Sequence, residues 1–223
     1  GAVPGGTLRN RDALGESLPA MDEAHWQWLC DPQTSGGLLL SVDPAWEDEE
    51  KRLLATSLAV IDHDNHHRYL FEATPNIAEQ LKRLDTVIPS TKPSLGLSAI
   101  FITHAHIGHY AGLMFLGREA AGTANVPVYV MPRLFEFLSL NGPWEQLITL
   151  GNISPVKMTN RNAVALPNDI RVTPYRVPHR DEYSETVGYK IETKERSVLF
   201  IPDIDNWDEW ERDFNIKIED MIA

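Results

Sequence analysis

Three histidines, His104, His106 and His109, stand within six residues of one another, directly after an apolar run at 97–103. Such a run predicts a buried strand. Histidines that leave the end of a strand and enter a helix direct several ring nitrogens toward one point. Neutral imidazoles grouped in this way form the coordination shell of a zinc-type ion. We therefore interpret this segment as a metal site.

Clustered histidines are also compatible with a solvated turn that binds metal adventitiously. The strand before the cluster, its spacing and two further candidate ligands downstream favour a metal site. The other group, His63, His66 and His67, lies in a polar segment between strand-like stretches at 57–61 and 69–71. Polar residues between two apolar runs predict a hairpin turn, and we assign these three histidines no functional role.

The downstream candidates are His179 and Asp203. His179 follows a strand-like stretch at 170–177, and Asp203 follows another at 197–201. Side chains at strand ends and in loops can reach a site built from several elements, and a carboxylate can bind metal through oxygen. From the residues alone, His179 is equally compatible with a structural role, and Asp205 is a weaker alternative to Asp203.

Four stretches carry a family resemblance. They read Leu-Phe-Glu-Ala-Thr-Pro at 70–75, Thr-His-Ala-His-Ile-Gly-His-Tyr-Ala-Gly-Leu at 103–113, Val-Pro-His-Arg-Asp-Glu-Tyr-Ser-Glu-Thr-Val-Gly at 177–188 and Phe-Ile-Pro-Asp at 200–203. Residues 44–223 thereby resemble the metallo-β-lactamase superfamily, in the branch related to the PQQ-biosynthesis B protein. The resemblance implies an α/β (α+β) fold, a four-layer αββα sandwich, here expected to be incomplete at both ends.

The resemblance also implies a ligand set. His104, His106 and His179 correspond to the family's three-histidine site, Asp203 to the carboxylate that bridges two ions, and His109 to a second-site ligand. Gly108 stands where the family has a second-metal aspartate, and no histidine follows His179. We therefore expect one zinc per chain, with manganese or iron as alternatives.

The implied activity is that of a metal-dependent hydrolase. Such an enzyme uses a metal-bound hydroxide on an ester, lactam or phosphodiester, with Asp203 and His109 as its catalytic residues. One alternative is a non-catalytic metal-binding or carrier protein related to PQQ biosynthesis. Another is an inactive fusion product that keeps the fold. Family membership indicates a class of chemistry and leaves the small-molecule substrate open.

Residues 1–43 resemble a different protein, the C-terminal part of selenophosphate synthetase. The resemblance lies in Gly-Gly-Thr-Leu-Arg-Asn at 5–10 and Leu-Cys-Asp-Pro-Gln-Thr-Ser-Gly-Gly-Leu-Leu-Leu at 29–40. The synthetase's nucleotide-binding and catalytic region has no counterpart, so we expect no synthetase activity. About forty residues rarely support a core alone. We therefore expect this segment to pack on the main domain, with 37–42 as an added strand.

Composition limits the partners. A net charge of −12 disfavours general binding to nucleic acid, and no apolar run is long enough to span a membrane. The single cysteine, Cys30, excludes an internal disulfide and makes the cytoplasm the default location. An early end to the sandwich would expose sheet edges and apolar surface, which predicts a homodimer or larger oligomer.

Overall fold

The structure is a computed structural model that describes residues 54–90 and 95–222. The synthetase-like segment and its expected strand at 37–42 lie outside the described residues. The described part contains two β-sheets. The strands of the first sheet, in spatial order, are β1 (Leu58–Asp62), β2 (His67–Phe71), β3 (Leu97–Phe101), β4 (Val126–Val130) and β5 (Ile153–Lys157). Those of the second are β6 (Val164–Ala165), β7 (Arg171–Arg176), β8 (Val187–Glu192) and β9 (Ser197–Phe200).

Helices cover the outer face of each sheet. In chain order the α-helices are α1 (Ile77–Val87), α2 (Ile107–Tyr110), α3 (Pro132–Leu140), α4 (Trp144–Thr149), α5 (Trp207–Phe214) and α6 (Ile218–Ile222). A 3₁₀ helix, Ala111–Leu116, follows α2 directly. Within the described ranges, no helix combines the length and the apolar character needed to cross a lipid bilayer.

Three clusters of buried side chains define the layers. Phe71 and Phe101 of the first sheet stack at 4.8 Å, and Tyr189 of the second sheet packs edge-on against both rings. A second cluster joins the other face of the first sheet to α1, α3 and α4. A third places Trp210 of α5 against the outer face of the second sheet. The order helix, sheet, sheet, helix confirms the αββα sandwich, because each apolar face is buried against another layer.

Most local predictions are confirmed. The hairpin predicted around 62–68 is the antiparallel pair β1 and β2, and His63 and His66 are exposed in its turn. The strand-like stretches at 170–177 and 197–201 are β7 and β9, and those that the sequence also shows at 126–130 and 186–192 are β4 and β8. Apolar residues at helical spacing in 76–84 predict a helix. This helix is α1, which buries Ile77, Leu81 and Leu84 as expected but leaves Ala78 exposed.

The sequence also predicts a helix at 112–121, and this prediction is wrong. The chain instead forms the short 3₁₀ helix, which ends at Leu116 because the backbone of Gly117 is extended, with ψ at 165°. A close contact between Gly112 and Ala73 explains why the chain does not continue here as a regular α-helix. The Gly112 N–H donates to the carbonyl of Ala73 at 2.8 Å, and this brings the two backbones together.

This close approach predicts that Gly112→Ala destabilises the fold. A Cβ at Gly112 would meet the backbone oxygens of Thr74 and Ala73, and backbone yields less readily than a flexible side chain. We expect a loss of about 1–3 kcal/mol in the free energy of unfolding, measured by chemical denaturation of the metal-free protein. Gly108→Ala is the matched control, since a Cβ there meets nothing within 4 Å. Equal stability of the two variants would contradict the prediction.

Candidate metal centre

The topology brings three strand ends to one edge of the sandwich. His104 follows β3, His179 follows β7 and Asp203 follows β9. Since β7 and β9 are both antiparallel to β8, they run parallel to each other, and their carboxyl ends lie at the same edge. The two sheets are joined at this edge, where the Val187 N–H donates to the carbonyl of Thr103 at 3.2 Å.

Four predicted ligands converge there. The donor atoms of His104, His106, His179 and Asp203 all lie within 4.8 Å of one another. The Nδ1 atom of His106 is 2.8 Å from Nε2 of His104 and 3.2 Å from Nε2 of His179. The Oδ2 atom of Asp203 is 3.2 Å from Nε2 of His104 and 3.6 Å from Nε2 of His179.

These separations fit a tetrahedral ion. In a zinc site with metal–nitrogen distances of about 2.0–2.1 Å, neighbouring donor atoms lie about 3.3 Å apart. Four of the six distances among these donor atoms lie between 2.8 and 3.6 Å and bracket that value. Three nitrogens and one carboxylate oxygen are also a donor set that zinc accepts. The residues present therefore fit a four-coordinate metal ion.

The outward nitrogen of each of these histidines faces a protein oxygen. The Nδ1 atom of His104 is 2.8 Å from the hydroxyl of Thr103. The remaining two contacts involve carboxylates: His106 Nε2 with Glu182 at 3.0 Å, and His179 Nδ1 with Asp205 at 2.8 Å. Oxygen partners of this kind fix the ring orientation and tautomer of metal-binding histidines.

His109 lies beside this group and not within it. Its Nε2 is 3.0 Å from Oδ2 of Asp203, and its Nδ1 is 3.5 Å from Oε1 of Glu72. Glu72 is fully buried, and its φ of 74° is a backbone conformation that glutamate rarely adopts. The imidazole of His109 is thus enclosed by two carboxylates.

Burial and charge set the protonation states. Burial lowers the pKa of His104 to about 4, so this ring is neutral near pH 7. Burial also acts to lower the pKa of His109, but Glu72 and Asp203 outweigh it and raise that pKa to about 10. Burial acts to raise the pKa of Asp203, yet hydrogen bonds from His104 and His109 hold it well below its usual range.

Other polar residues around the site have distinct contacts. Asp205, considered as an alternative to Asp203, bonds His179 and lies outside the four-residue group. Among the acidic residues of the motif at 177–188, Glu182 contacts His106, and the carboxylate of Glu185 accepts the N–H of Arg133 at 3.1 Å. The ring of Tyr183 packs against Phe137.

Sequence reasoning missed the roles of Glu72, Thr103 and Arg133. Glu72 carried a usable signal, because it directly follows the apolar residues that end β2. Glutamate is rarely buried unless it is paired, so a buried glutamate at this position indicates a partner. Thr103 belongs to the histidine motif at 103–113, but the contact of its hydroxyl with His104 was not predicted. Arg133 carried no local signal, since its partners lie about 50 residues downstream.

The family model of the β-lactamase superfamily domain matches residues 67–217. The match covers more than half of the chain and includes strands β2 to β9 and the four residues whose donor atoms converge. This chain therefore belongs to the β-lactamase superfamily, as the sequence motifs indicated.

One solved structure supports the fold. Zn²⁺-bound PqqB from Methylobacterium extorquens aligns with a TM-score of 0.58 and 21% sequence identity, covering 71% of this chain and 56% of that chain. A diphosphatase from the PhnP family aligns with a TM-score of 0.47 and 22% identity, covering 71% of this chain and 58% of that one. The chain thus spans just over half the length of either structure.

Curated relatives match a shorter part of the chain. Selenide, water dikinase from Photobacterium profundum is 57% identical over 51 residues, which are 23% of this chain and 15% of that protein. The Pseudomonas aeruginosa enzyme is 57% identical over 49 residues, 22% of this chain and 14% of that protein. These matches confirm the resemblance to selenophosphate synthetase and cover a small share of that enzyme.

Proposed function

We propose that this protein is a metal-dependent hydrolase that holds one zinc ion on His104, His106 and His179, with Asp203 or water completing the shell. The observation that carries the proposal is the pairing of each outward histidine nitrogen with Thr103, Glu182 or Asp205. Three rings oriented in this way present their other nitrogens to one point. The Zn²⁺-bound state of PqqB, which shares the fold, agrees with the choice of zinc.

Zinc held there by His104, His106 and His179 would acidify a water in the remaining position and would polarise a carbonyl or phosphoryl oxygen. The Asp203 carboxylate, whose Oδ2 lies among the histidine nitrogens, would orient the attacking water and accept its proton. His109 contacts the same oxygen at 3.0 Å and keeps this carboxylate in place. The substrate class is a small ester, lactam or phosphodiester, because each has a carbonyl or phosphoryl centre open to water.

Two further proposals concern the binding partners of this protein. A net charge of −12 opposes general contact with nucleic acid or an anionic membrane surface. A homodimer or larger oligomer remains our proposal for the assembly, with light scattering as its test.

A metal-binding or carrier protein without turnover is the second candidate. The observation that favours it is Gly108, which has no side chain to donate and leaves Asp203 and His109 as the candidate ligands for a second ion. An inactive fusion product is the third candidate, and it would hold no metal.

One experiment separates the three candidates. The full chain is stripped with a chelator, reloaded with zinc, manganese or iron, and assayed on bis(p-nitrophenyl) phosphate, p-nitrophenyl acetate and a chromogenic lactam. The hydrolase proposal expects turnover that disappears on chelation and returns with metal. Tight binding without turnover of any of the three would support the carrier, and absence of binding would support the inactive product.

A further inference from the structure

The acidic loop 181–185 lies directly on the histidine motif. The carboxylate of Glu182 is 3.0 Å from Nε2 of His106, and the hydroxyl of Ser184 accepts the N–H of Ala105 at 2.8 Å. Ser184 is buried, whereas the Glu182 side chain is 52% exposed. An exposed carboxylate has many rotamers open to it, so its contact with His106 depends on where the loop backbone is held.

Arg133, at the start of α3, holds that backbone. Its Nη2 donates to the carbonyl oxygens of Asp181 at 2.9 Å and of Glu182 at 3.1 Å. Its Nη1 is 3.4 Å from the carboxylate of Asp181, and its backbone N–H donates to the carboxylate of Glu185 at 3.1 Å. Arg133, which lies on the side of the first sheet, therefore contacts three acidic residues of a loop that belongs to the second sheet.

We infer that Arg133 is a positioning residue for the metal centre, an inference that rests on the proposed function. The path runs from the guanidinium to the backbone of Glu182, and from the Glu182 carboxylate to the ring of His106. The planar guanidinium carries five N–H donors in a fixed fork and can serve two carbonyls and a carboxylate together. Lysine lacks that fork, so its charge alone does not reproduce the contacts.

The test measures zinc affinity in the full chain by competition with a chromogenic chelator. Loss of an oxygen partner behind a metal-binding histidine costs about 10–100-fold in metal affinity. We expect Arg133→Gln and Glu182→Ala each to weaken zinc binding by about tenfold. Because both variants break one path, the double variant should lose little more than either single one.

Two further variants make the test specific. Arg133→Lys keeps the charge and should still bind zinc more weakly than wild type. Arg118→Gln is the control, since this exposed arginine pairs with its neighbour Glu119 and should leave zinc affinity unchanged. Thermal unfolding of the metal-free proteins shows whether each variant folds, and the visible spectrum of the Co²⁺-loaded forms reports the coordination geometry.

The outcomes are distinct. Wild-type affinity in a folded Arg133→Gln or Arg133→Lys variant overturns the inference and leaves the proposed function in place. Losses that multiply in the double variant also overturn it, because they assign the two residues to separate paths. A wild-type chain that binds no zinc overturns the proposed function and this inference with it.

Discussion

The wild-type protein should bind about one zinc per chain, His106→Ala close to none, and His109→Ala about one. Three imidazoles suffice for a four-coordinate zinc site with an open position, and removal of His106 takes away the nitrogen that lies within 3.2 Å of a nitrogen of each other ring. Metal content after dialysis, measured by inductively coupled plasma mass spectrometry against protein concentration, gives the stoichiometry. This is the largest effect on binding that we expect.

The contrast between the two histidines follows from their neighbours. His109 faces Asp203 and the buried Glu72, and its pKa, raised to about 10, keeps both ring nitrogens protonated at neutral pH. A protonated imidazole is no ligand. His63→Ala, in the exposed hairpin turn, is the control and should retain one zinc. Two equivalents in wild type, or complete loss in His109→Ala, would contradict this arrangement.

Elements with strong local patterns could be predicted from the sequence. The hairpin of β1 and β2 was identified by polar residues between two apolar runs, and α1 by apolar residues at helical spacing. Both patterns depend on neighbours a few residues apart. The αββα order came from the family resemblance, since pairing between distant strands is not written in any short stretch.

The elements that were missed or misread depend on tertiary contacts. β5 has Pro155 at its centre, and proline argues against a strand unless it lies at a sheet edge, as β5 does in the described sheet. The helix α4 has six residues and one buried side chain, Leu147, which gives little periodic signal. The misread segment after residue 111 follows the contact of Gly112 with Ala73, nearly forty residues upstream.

For the candidate site, too, local features could be predicted from the sequence and tertiary contacts could not. Strand ends and histidine spacing, with the family motif, were enough to name the four ligands that converge. The partners behind them were not predicted, because the contact of His106 with Glu182 joins residues 76 positions apart. Only the packing of the two sheets brings the loop 181–185 to the histidine motif. The contacts of this loop therefore could not be predicted from any local sequence pattern.

Asp203→Asn should lower kcat by about 10²–10⁴-fold on whichever substrate the wild type turns over. Asparagine keeps the size of the side chain but carries no negative charge, and its amide does not accept a proton from water near pH 7. The wild-type carboxylate, by contrast, stays ionised, because hydrogen bonds from His104 and His109 outweigh its burial and hold its pKa well below the usual range. Assays at saturating zinc separate this loss from weaker metal binding.

Asp205→Asn is the matched control for this change. Asp205 is also an aspartate after β9, but it contacts the outward nitrogen of His179 and lies 51% exposed, away from the point where the donor atoms converge. Its replacement should weaken zinc affinity by about tenfold and leave kcat at saturating zinc within a few-fold of wild type. Since only Asp203 offers an oxygen among the converging donors, near-wild-type kcat in Asp203→Asn would show that proton transfer to this carboxylate is not part of the reaction.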